Sequence, residues 1–242
     1  MGGEQINKKQ HTGEITSGIK FQTFRLTIIT FIQQQLPIWR DDPDRPDEQS
    51  EDKLNLQLCK FLDSHARNIL PMVRFDHEEY QTGRRSVDLS ASPAKSIFLE
   101  AKSHTIYDPV LVIECKRLPA PLPKEREKEY VTGPTPEKIS GGIQRFKLGL
   151  HGAKLNLAAI IGYVQNHSAC HWHKKINGWI SELVSNSIGN GCIWTADESL
   201  KAFKGDTSRG IYSYRSIHSR TGDIVNNEIE LHHLWVTMNV EN

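Results

Sequence analysis

The feature that most constrains the fold is a strand-like run from Val110 to Lys116. Four apolar residues, Val110 to Ile113, lead directly into Glu114-Cys115-Lys116. A short apolar run of this kind is typical of a strand buried within a sheet, and side chains on a strand alternate between its two faces. Glu114 and Lys116 therefore project together. Burying two charges has a desolvation cost, and taken alone such a pair is more often a structural salt bridge than a site.

Asp88 favours a functional site over a structural salt bridge. It lies in Ser86-Val87-Asp88-Leu89, a short strand-like run 26 residues before Glu114. If the two strands pair, the carboxylates of Asp88 and Glu114 lie side by side and repel each other unless a cation sits between them. Oxygen ligands suit Mg²⁺ or Mn²⁺, and a nearby Lys can orient an attacking water or neutralise charge on a phosphate. These residues predict a metal site for phosphodiester hydrolysis.

Helical periodicity predicts four helices around the strands. In the first, from Phe21 to Leu36, residues Phe24 and Ile28 share a face with Phe31 or Ile32, and Pro37 is expected to end it. Seven acids between residues 41 and 52 indicate a solvated linker that becomes a second helix over 50–64, with Ser50 as its N-cap. The other helices are predicted at 141–150 and 172–184.

Alternating and apolar runs predict the strands. They are expected at 72–75, 86–89, 97–99, 110–115, 157–164, 191–195, 210–217 and 228–238, with a turn at Thr221-Gly222-Asp223. The segment from Leu118 to Ile139 contains five prolines and is expected to be a surface excursion. This order of elements indicates a mixed α/β domain. Residues 1–47 form an N-terminal arm, helix and acidic linker, 48–165 the core, and 166–242 a C-terminal helix and strands that complete or extend the domain.

Asp88 followed by an apolar strand into Glu114-Cys115-Lys116 resembles the PD-(D/E)xK nuclease superfamily, the restriction-endonuclease-like proteins. The similarity covers roughly residues 48–165. That family usually places an acid on the helix before the core sheet, and Glu51 fits this position with Glu48 as the alternative. Many members also carry a polar residue, often Gln, on the helix after the E-x-K strand, where Gln144 lies here. Unlike the literal motif, Asp88 has no Pro before it.

The resemblance implies a restriction-endonuclease-like mixed central sheet flanked by helices, with an extra C-terminal α+β region. It implies a metal-dependent nuclease, expected to be an endonuclease, in which a metal-activated water attacks the phosphodiester. Asp88 and Glu114 would hold Mg²⁺ or Mn²⁺ with the carbonyl of Cys115, and Glu51 would bind a second ion directly or through water. Lys116 would position the water or stabilise the transition state, and Gln144 would orient the site. DNA is the expected substrate, with RNA as an alternative.

Two alternatives stay open at this point. Glu100-Ala101-Lys102 is a second E-x-K after a short apolar run. Glu114 and Lys116 are favoured because their strand has the longer β-branched run and the Gln144 helix comes next. The second alternative is a different class of protein, a nuclease-like fold that acts as a non-cleaving nucleic-acid-binding or protein-interaction module.

Charge and composition narrow the function classes. The net charge is only +1, but from residue 84 to residue 154 there are thirteen Lys and Arg against eight Asp and Glu. The expected contacts to a DNA backbone are Arg117, Lys124, Arg145 and Lys147. Scattered cysteines and an N-terminal helix too polar to span a bilayer predict a cytoplasmic protein without a membrane partner. The C-terminal residues are expected to be a specificity or a dimerisation element, and a homodimer is the second of these two alternatives. No P-loop, GxGxxG or GxSxG sequence is present.

Overall fold

The computed structural model describes residues 20–81, 85–222 and 224–239. Within these residues the chain forms a seven-stranded mixed sheet with helices on both faces. The prediction of a mixed α/β fold with a central sheet flanked by helices is therefore confirmed. No helix in the described part of the chain is both long and apolar enough to cross a membrane.

The helices and strands have the following bounds. The helices are α1 (Phe21–Arg40), α2 (Glu51–Ile69), α3 (Gly142–Lys147) and α4 (Ala169–Ser185). The strands are β1 (Val73–Tyr80), β2 (Ser86–Pro93), β3 (Ile97–Leu99), β4 (Lys102–His104), β5 (Leu111–Leu118), β6 (Leu157–Val164), β7 (Lys201–Ala202), β8 (Ile211–Ser219) and β9 (Glu228–Thr237). Short 3-10 helices span Lys124–Tyr130, Ala196–Glu198 and Thr207–Arg209.

The large sheet has the strand order β1-β2-β5-β6-β9-β8-β7. Strands β5, β6 and β9 are parallel, and the other neighbours are antiparallel. Strands β3 and β4 form a separate hairpin. Because β9 pairs with β6 along the whole length of β6, the strands that follow residue 166 continue the same sheet.

Alternation along the central strands builds a hydrophobic core on each face of the sheet. Ile113 and Cys115 of β5 lie in the core that α1 and α2 cover, whereas Val112 lies in the core that α3 and α4 cover. Glu114 follows the alternation of Val112 and points toward the α3 side. The local pattern of β5 thus decides which helices can reach its charged residues.

The prediction that Pro37 ends the first helix is wrong. Helix α1 continues to Arg40 and contains Pro37 in its last turn. A proline removes one helical hydrogen bond, but Leu36 and Trp39 on either side of it are fully buried and hold that turn against the core. The Arg40 guanidinium also donates to the carbonyls of Arg209 and Thr237.

Two other expectations are corrected. Residues 191–195 show the burial alternation of a strand, with Cys192 and Trp194 buried, but the described chain places no partner strand beside them. The segment from Leu118 to Ile139 is not a surface excursion throughout, because Tyr130 returns to the interior and accepts a hydrogen bond from Trp235 Nε1 at 2.8 Å. The predicted turn at Thr221-Gly222-Asp223 falls partly outside the described residues, because Asp223 is not among them.

A glycine in β6 gives a testable packing constraint. Gly162 pairs with Trp235 of β9, and a Cβ at this position would lie only 2.4 Å from Trp235 Cδ1. Because Trp235 is fully buried and cannot move freely, we expect Gly162→Ala to lower the free energy of unfolding by about 1–3 kcal/mol. Urea unfolding followed by tryptophan fluorescence measures the change.

Gly178→Ala in α4 is the matched control. Nothing lies within 4 Å of a Cβ added there, so the substitution is expected to raise stability by about 0.5–1 kcal/mol. Equal effects of the two substitutions would contradict the close contact of β6 and β9 at Gly162.

Candidate functional site

Asp88 and Glu114 lie on neighbouring strands at the point where those strands stop pairing. Strands β2 and β5 pair from Ala91 to Leu89, and Leu89 lies opposite Ile113. Asp88 is the next residue on β2, and its Oδ2 accepts a hydrogen bond of 2.6 Å from the backbone N–H of Cys115. The carboxylate of Asp88 thereby replaces a backbone partner at the end of the ladder and is held beside Glu114.

Glu114 is buried, with 1% of its surface exposed, and basic side chains surround its carboxylate. Oε1 contacts Lys116 Nζ at 2.9 Å and Arg145 Nη1 at 2.8 Å. Oε2 lies 3.1 Å from His151 Nδ1, but the direction does not suit a hydrogen bond. Among the described residues neither Oε2 nor the two His151 ring nitrogens has a hydrogen-bond partner. Such buried atoms call for an explanation, because leaving them unpaired costs free energy.

Glu51 joins the same place from the first residue of α2. Its Oε1 lies 3.2 Å from Lys116 Nζ, and its Oε2 accepts a hydrogen bond of 3.1 Å from the backbone N–H of Arg117. Lys116 is therefore bonded to both Glu51 and Glu114. We call Glu51, Asp88, Glu114 and Lys116 the carboxylate cluster.

The two strand acids of the carboxylate cluster, Asp88 and Glu114, have pKa values that are shifted in opposite directions. Burial, and then the nearby charge of Glu114, raises the pKa of Asp88 well above its usual range. Burial, the largest single influence, would raise the pKa of Glu114, but the basic side chains of Lys116, His151 and Arg145 together outweigh burial and hold that pKa well below the usual value. The same carboxylates raise the pKa of Lys116 against the opposing effect of burial. Glu114 is therefore ionised and paired with Lys116 and Arg145, whereas Asp88 forms no ion pair with a basic side chain of the described residues.

The carboxylate cluster contains the donor type that a hard divalent cation takes. The carboxylates of Asp88 and Glu114 are oxygen ligands of the kind that Mg²⁺ and Mn²⁺ prefer, and Glu114 Oε2 is buried without a hydrogen-bond partner among the described residues. In this conformation, however, the described part of the chain brings no three His, Cys, Asp or Glu side chains together in a way that could hold a metal ion. In the same conformation Lys116 Nζ contacts both Glu51 and Glu114.

The remaining predicted site residues lie in different surroundings. Gln144 is fully buried, and its Oε1 accepts hydrogen bonds from the backbone N–H groups of Gly133 and Gly141. It therefore holds the loop before α3 and makes no hydrogen bond to the carboxylate cluster. The Cys115 thiol is buried on the opposite face of β5, where burial raises its pKa.

The competing acids lie away from the carboxylate cluster. Glu100 is exposed in the turn between β3 and β4, with a φ of 52°, and Lys102 is exposed in β4. That hairpin is outside the large sheet that carries Asp88. Glu48 is exposed in the loop before α2. The geometry therefore groups Glu114, Lys116 and Glu51 with Asp88, in preference to these alternatives.

The four basic residues expected to contact DNA differ in their exposure and in their side-chain partners. Lys124 is exposed, and Arg117 is partly exposed with its Nε donating to Gln165 Oε1 at 2.6 Å. Arg145 is partly exposed but contacts Glu114. For Lys147 the expectation is wrong, because its side chain is fully buried and contacts Glu198 Oε1 at 2.5 Å.

Sequence reasoning missed His151 and the role of Arg145. Arg145 had been expected to face a phosphate, and no motif or spacing marked His151. Arg145 reaches Glu114 from α3 itself, whereas His151 reaches it after that helix ends at Lys147, in a segment where Gly149 and Gly152 have φ values of 64° and 58°. Glycine favours this left-handed conformation, so the two glycines were the available signal for a sharp turn after the helix.

Comparison with known proteins adds no relative. Neither a family model, nor a curated protein, nor a solved structure matches this chain.

Proposed function

We propose that this chain is a metal-dependent nuclease that hydrolyses phosphodiester bonds in DNA. The observation that carries the proposal is the convergence of Glu51, Asp88 and Glu114 with Lys116 at one end of the β2–β5 ladder. Three separate elements supply these residues. Bringing three carboxylates to one place costs free energy, and binding a phosphate substrate through divalent cations offers a reason to retain them.

We also propose the finer fold class, a restriction-endonuclease-like fold. Helix α2 precedes the sheet and begins with Glu51, and α3 with Gln144 follows the strand that contains Glu114. This is the placement that the resemblance implies. The strands β8 and β9 and helix α4 form the additional C-terminal part.

In the proposed site Asp88, Glu114 and the carbonyl of Cys115 would hold Mg²⁺ or Mn²⁺, with Glu51 available for a second ion. When bound, the ion would polarise the phosphate and lower the pKa of water. Lys116 carries a positive charge against Glu51 and Glu114, and can stabilise charge that develops on the phosphate. Arg145 holds Glu114 in place through Oε1, and His151 lies against Oε2.

The ion pairs of Glu114 also favour a second candidate function. A carboxylate that Lys116 and Arg145 already neutralise can be a purely structural charge cluster. In that case the chain is a non-cleaving nucleic-acid-binding or protein-interaction module with the same fold.

A cleavage assay distinguishes the two functions. The purified chain is incubated with supercoiled plasmid, linear duplex, single-stranded DNA and RNA in the presence of Mg²⁺, Mn²⁺ or EDTA. We expect cleavage of DNA with Mg²⁺ or Mn²⁺ and none in EDTA. Conversion of the closed plasmid to open forms would mark an endonuclease.

Other results have equally definite meanings. Cleavage of RNA alone would replace DNA as the proposed substrate. No cleavage of any of the four substrates with either ion would overturn the nuclease proposal in favour of the non-cleaving module.

A further inference from the structure

A pocket of about 410 Å³ lies beside the carboxylate cluster on the same face of the sheet. Val112 forms part of its wall and is two residues before Glu114 on β5, so the two side chains share a face about 7 Å apart. Gly152, also in the wall, follows His151 directly. We call this cavity the tyrosine pocket, because Tyr80 and Tyr107 line it.

Both tyrosines expose most of their surface. Tyr80 is 80% exposed at the end of β1, and Tyr107 is 84% exposed in the loop after β4. Large aromatic side chains gain stability by burial, so two exposed rings at the mouth of one cavity indicate a surface that a ligand covers. Phe98, at 76%, is exposed on the β3–β4 hairpin but does not line this pocket.

Hydrogen bonds fix the chain on both sides of the tyrosine pocket. Asp108 Oδ2 accepts from the backbone N–H and the hydroxyl of Thr105, and this tightens the loop that carries Tyr107. On the other side Tyr80 pairs with Ser86 in the sheet, and the neighbouring Gln81 accepts a hydrogen bond from the Gly152 N–H at 3.0 Å. These hydrogen bonds hold the backbone segments that carry the two rings.

The rest of the wall suits a flat, partly polar ligand. Val112, Leu155 and Pro109 supply apolar contact, and Glu79 and Gln81 supply polar groups. Lys154 is exposed at the edge and can approach a phosphate. One acid and one base leave the interior of the pocket without a net charge, which suits a nucleobase better than a phosphate.

We propose that the tyrosine pocket binds an unpaired base of single-stranded DNA next to the bond that is cleaved. The two rings offer faces on which bases stack, and stacking of this kind accepts any base sequence. A base inside an intact duplex is stacked and paired, and must first leave the duplex to enter the pocket, so the inference names single-stranded DNA as the substrate class. The biological role of this base-binding pocket rests on the proposed nuclease function. Its binding test does not, because binding is measured without cleavage.

Binding measured in EDTA tests the tyrosine pocket without any cleavage. The probe is a fluorescein-labelled oligo(dT), followed by fluorescence anisotropy with the full chain. We expect Tyr80→Ala and Tyr107→Ala each to weaken binding about 5- to 100-fold, because each removes a stacking surface. Tyr80→Phe and Tyr107→Phe keep a stacking ring and are expected to bind like the parent chain, as is the control Phe98→Ala. An unlabelled duplex of the same length is expected to compete less well than oligo(dT).

The results separate this inference from the nuclease proposal. Oligo(dT) binding that falls in the two Ala variants supports the pocket even if no DNA is cleaved with Mg²⁺ or Mn²⁺. Divalent-dependent cleavage together with unchanged oligo(dT) binding in both Ala variants would overturn the pocket and leave the nuclease standing. Absence of oligo(dT) binding by the parent chain, or an equal loss in Phe98→Ala, would also overturn it.

Discussion

Glu114→Gln is expected to abolish divalent-dependent DNA cleavage, with a loss of roughly 100-fold or more. Glutamine keeps the size of the side chain but removes the charge that lies against Lys116 and Arg145. It also removes one of the two strand carboxylates proposed to hold the ion. Because Glu114 is buried and its loss leaves Arg145 without its carboxylate, Glu114→Ala is expected to lower the free energy of unfolding by about 3–5 kcal/mol.

The matched control is Glu100→Gln, which makes the same change in the other E-x-K. Glu100 is exposed in a turn outside the large sheet, so we expect its substitution to leave cleavage unchanged and to alter stability by no more than about 0.5 kcal/mol. Cleavage rates at saturating Mg²⁺ and urea unfolding of each variant provide the two measurements. Loss of cleavage in Glu100→Gln with full activity in Glu114→Gln would reassign the site to the hairpin.

The second large effect concerns Lys147, which the sequence predicts to contact DNA and which the structure buries. Lys147→Met is expected to lower the free energy of unfolding by about 3–5 kcal/mol, because it removes the ammonium from the buried carboxylate of Glu198 and leaves it only His218 as a basic neighbour in the described chain, whose pKa is lowered by burial. The double substitution Lys147→Met with Glu198→Met removes both charges. It is expected to recover most of that loss, because a buried ion pair often contributes little compared with apolar residues of similar size.

Urea unfolding of both single variants and the double variant completes a double-mutant cycle that measures the coupling. Lys124→Met is the control, because Lys124 is exposed and its substitution should change stability by no more than about 0.5 kcal/mol. Equal stabilities of Lys147→Met and Lys124→Met would contradict the buried position of Lys147.

Local periodicity was enough to predict most elements of this fold. The bounds of β6 agree with the predicted 157–164, and the apolar face of α1 is buried as expected. The strand predicted at 191–195 failed for a physical reason. Alternating burial of Cys192 and Trp194 needs only an extended chain over a core, whereas a strand also needs a partner for its backbone.

The sequence alone determined that Glu114 and Lys116 share one face of a strand, because side-chain alternation is a local property of the backbone. It also indicated Asp88 and Glu51 as neighbours, and both lie at the carboxylate cluster. Only the tertiary structure decided the partners that surround Glu114. Arg145 and His151 reach it, and Lys147 points inward to Glu198, because of the way α3 and the segment after it pack against the sheet. Such contacts depend on packing between elements distant in sequence, which no local pattern records.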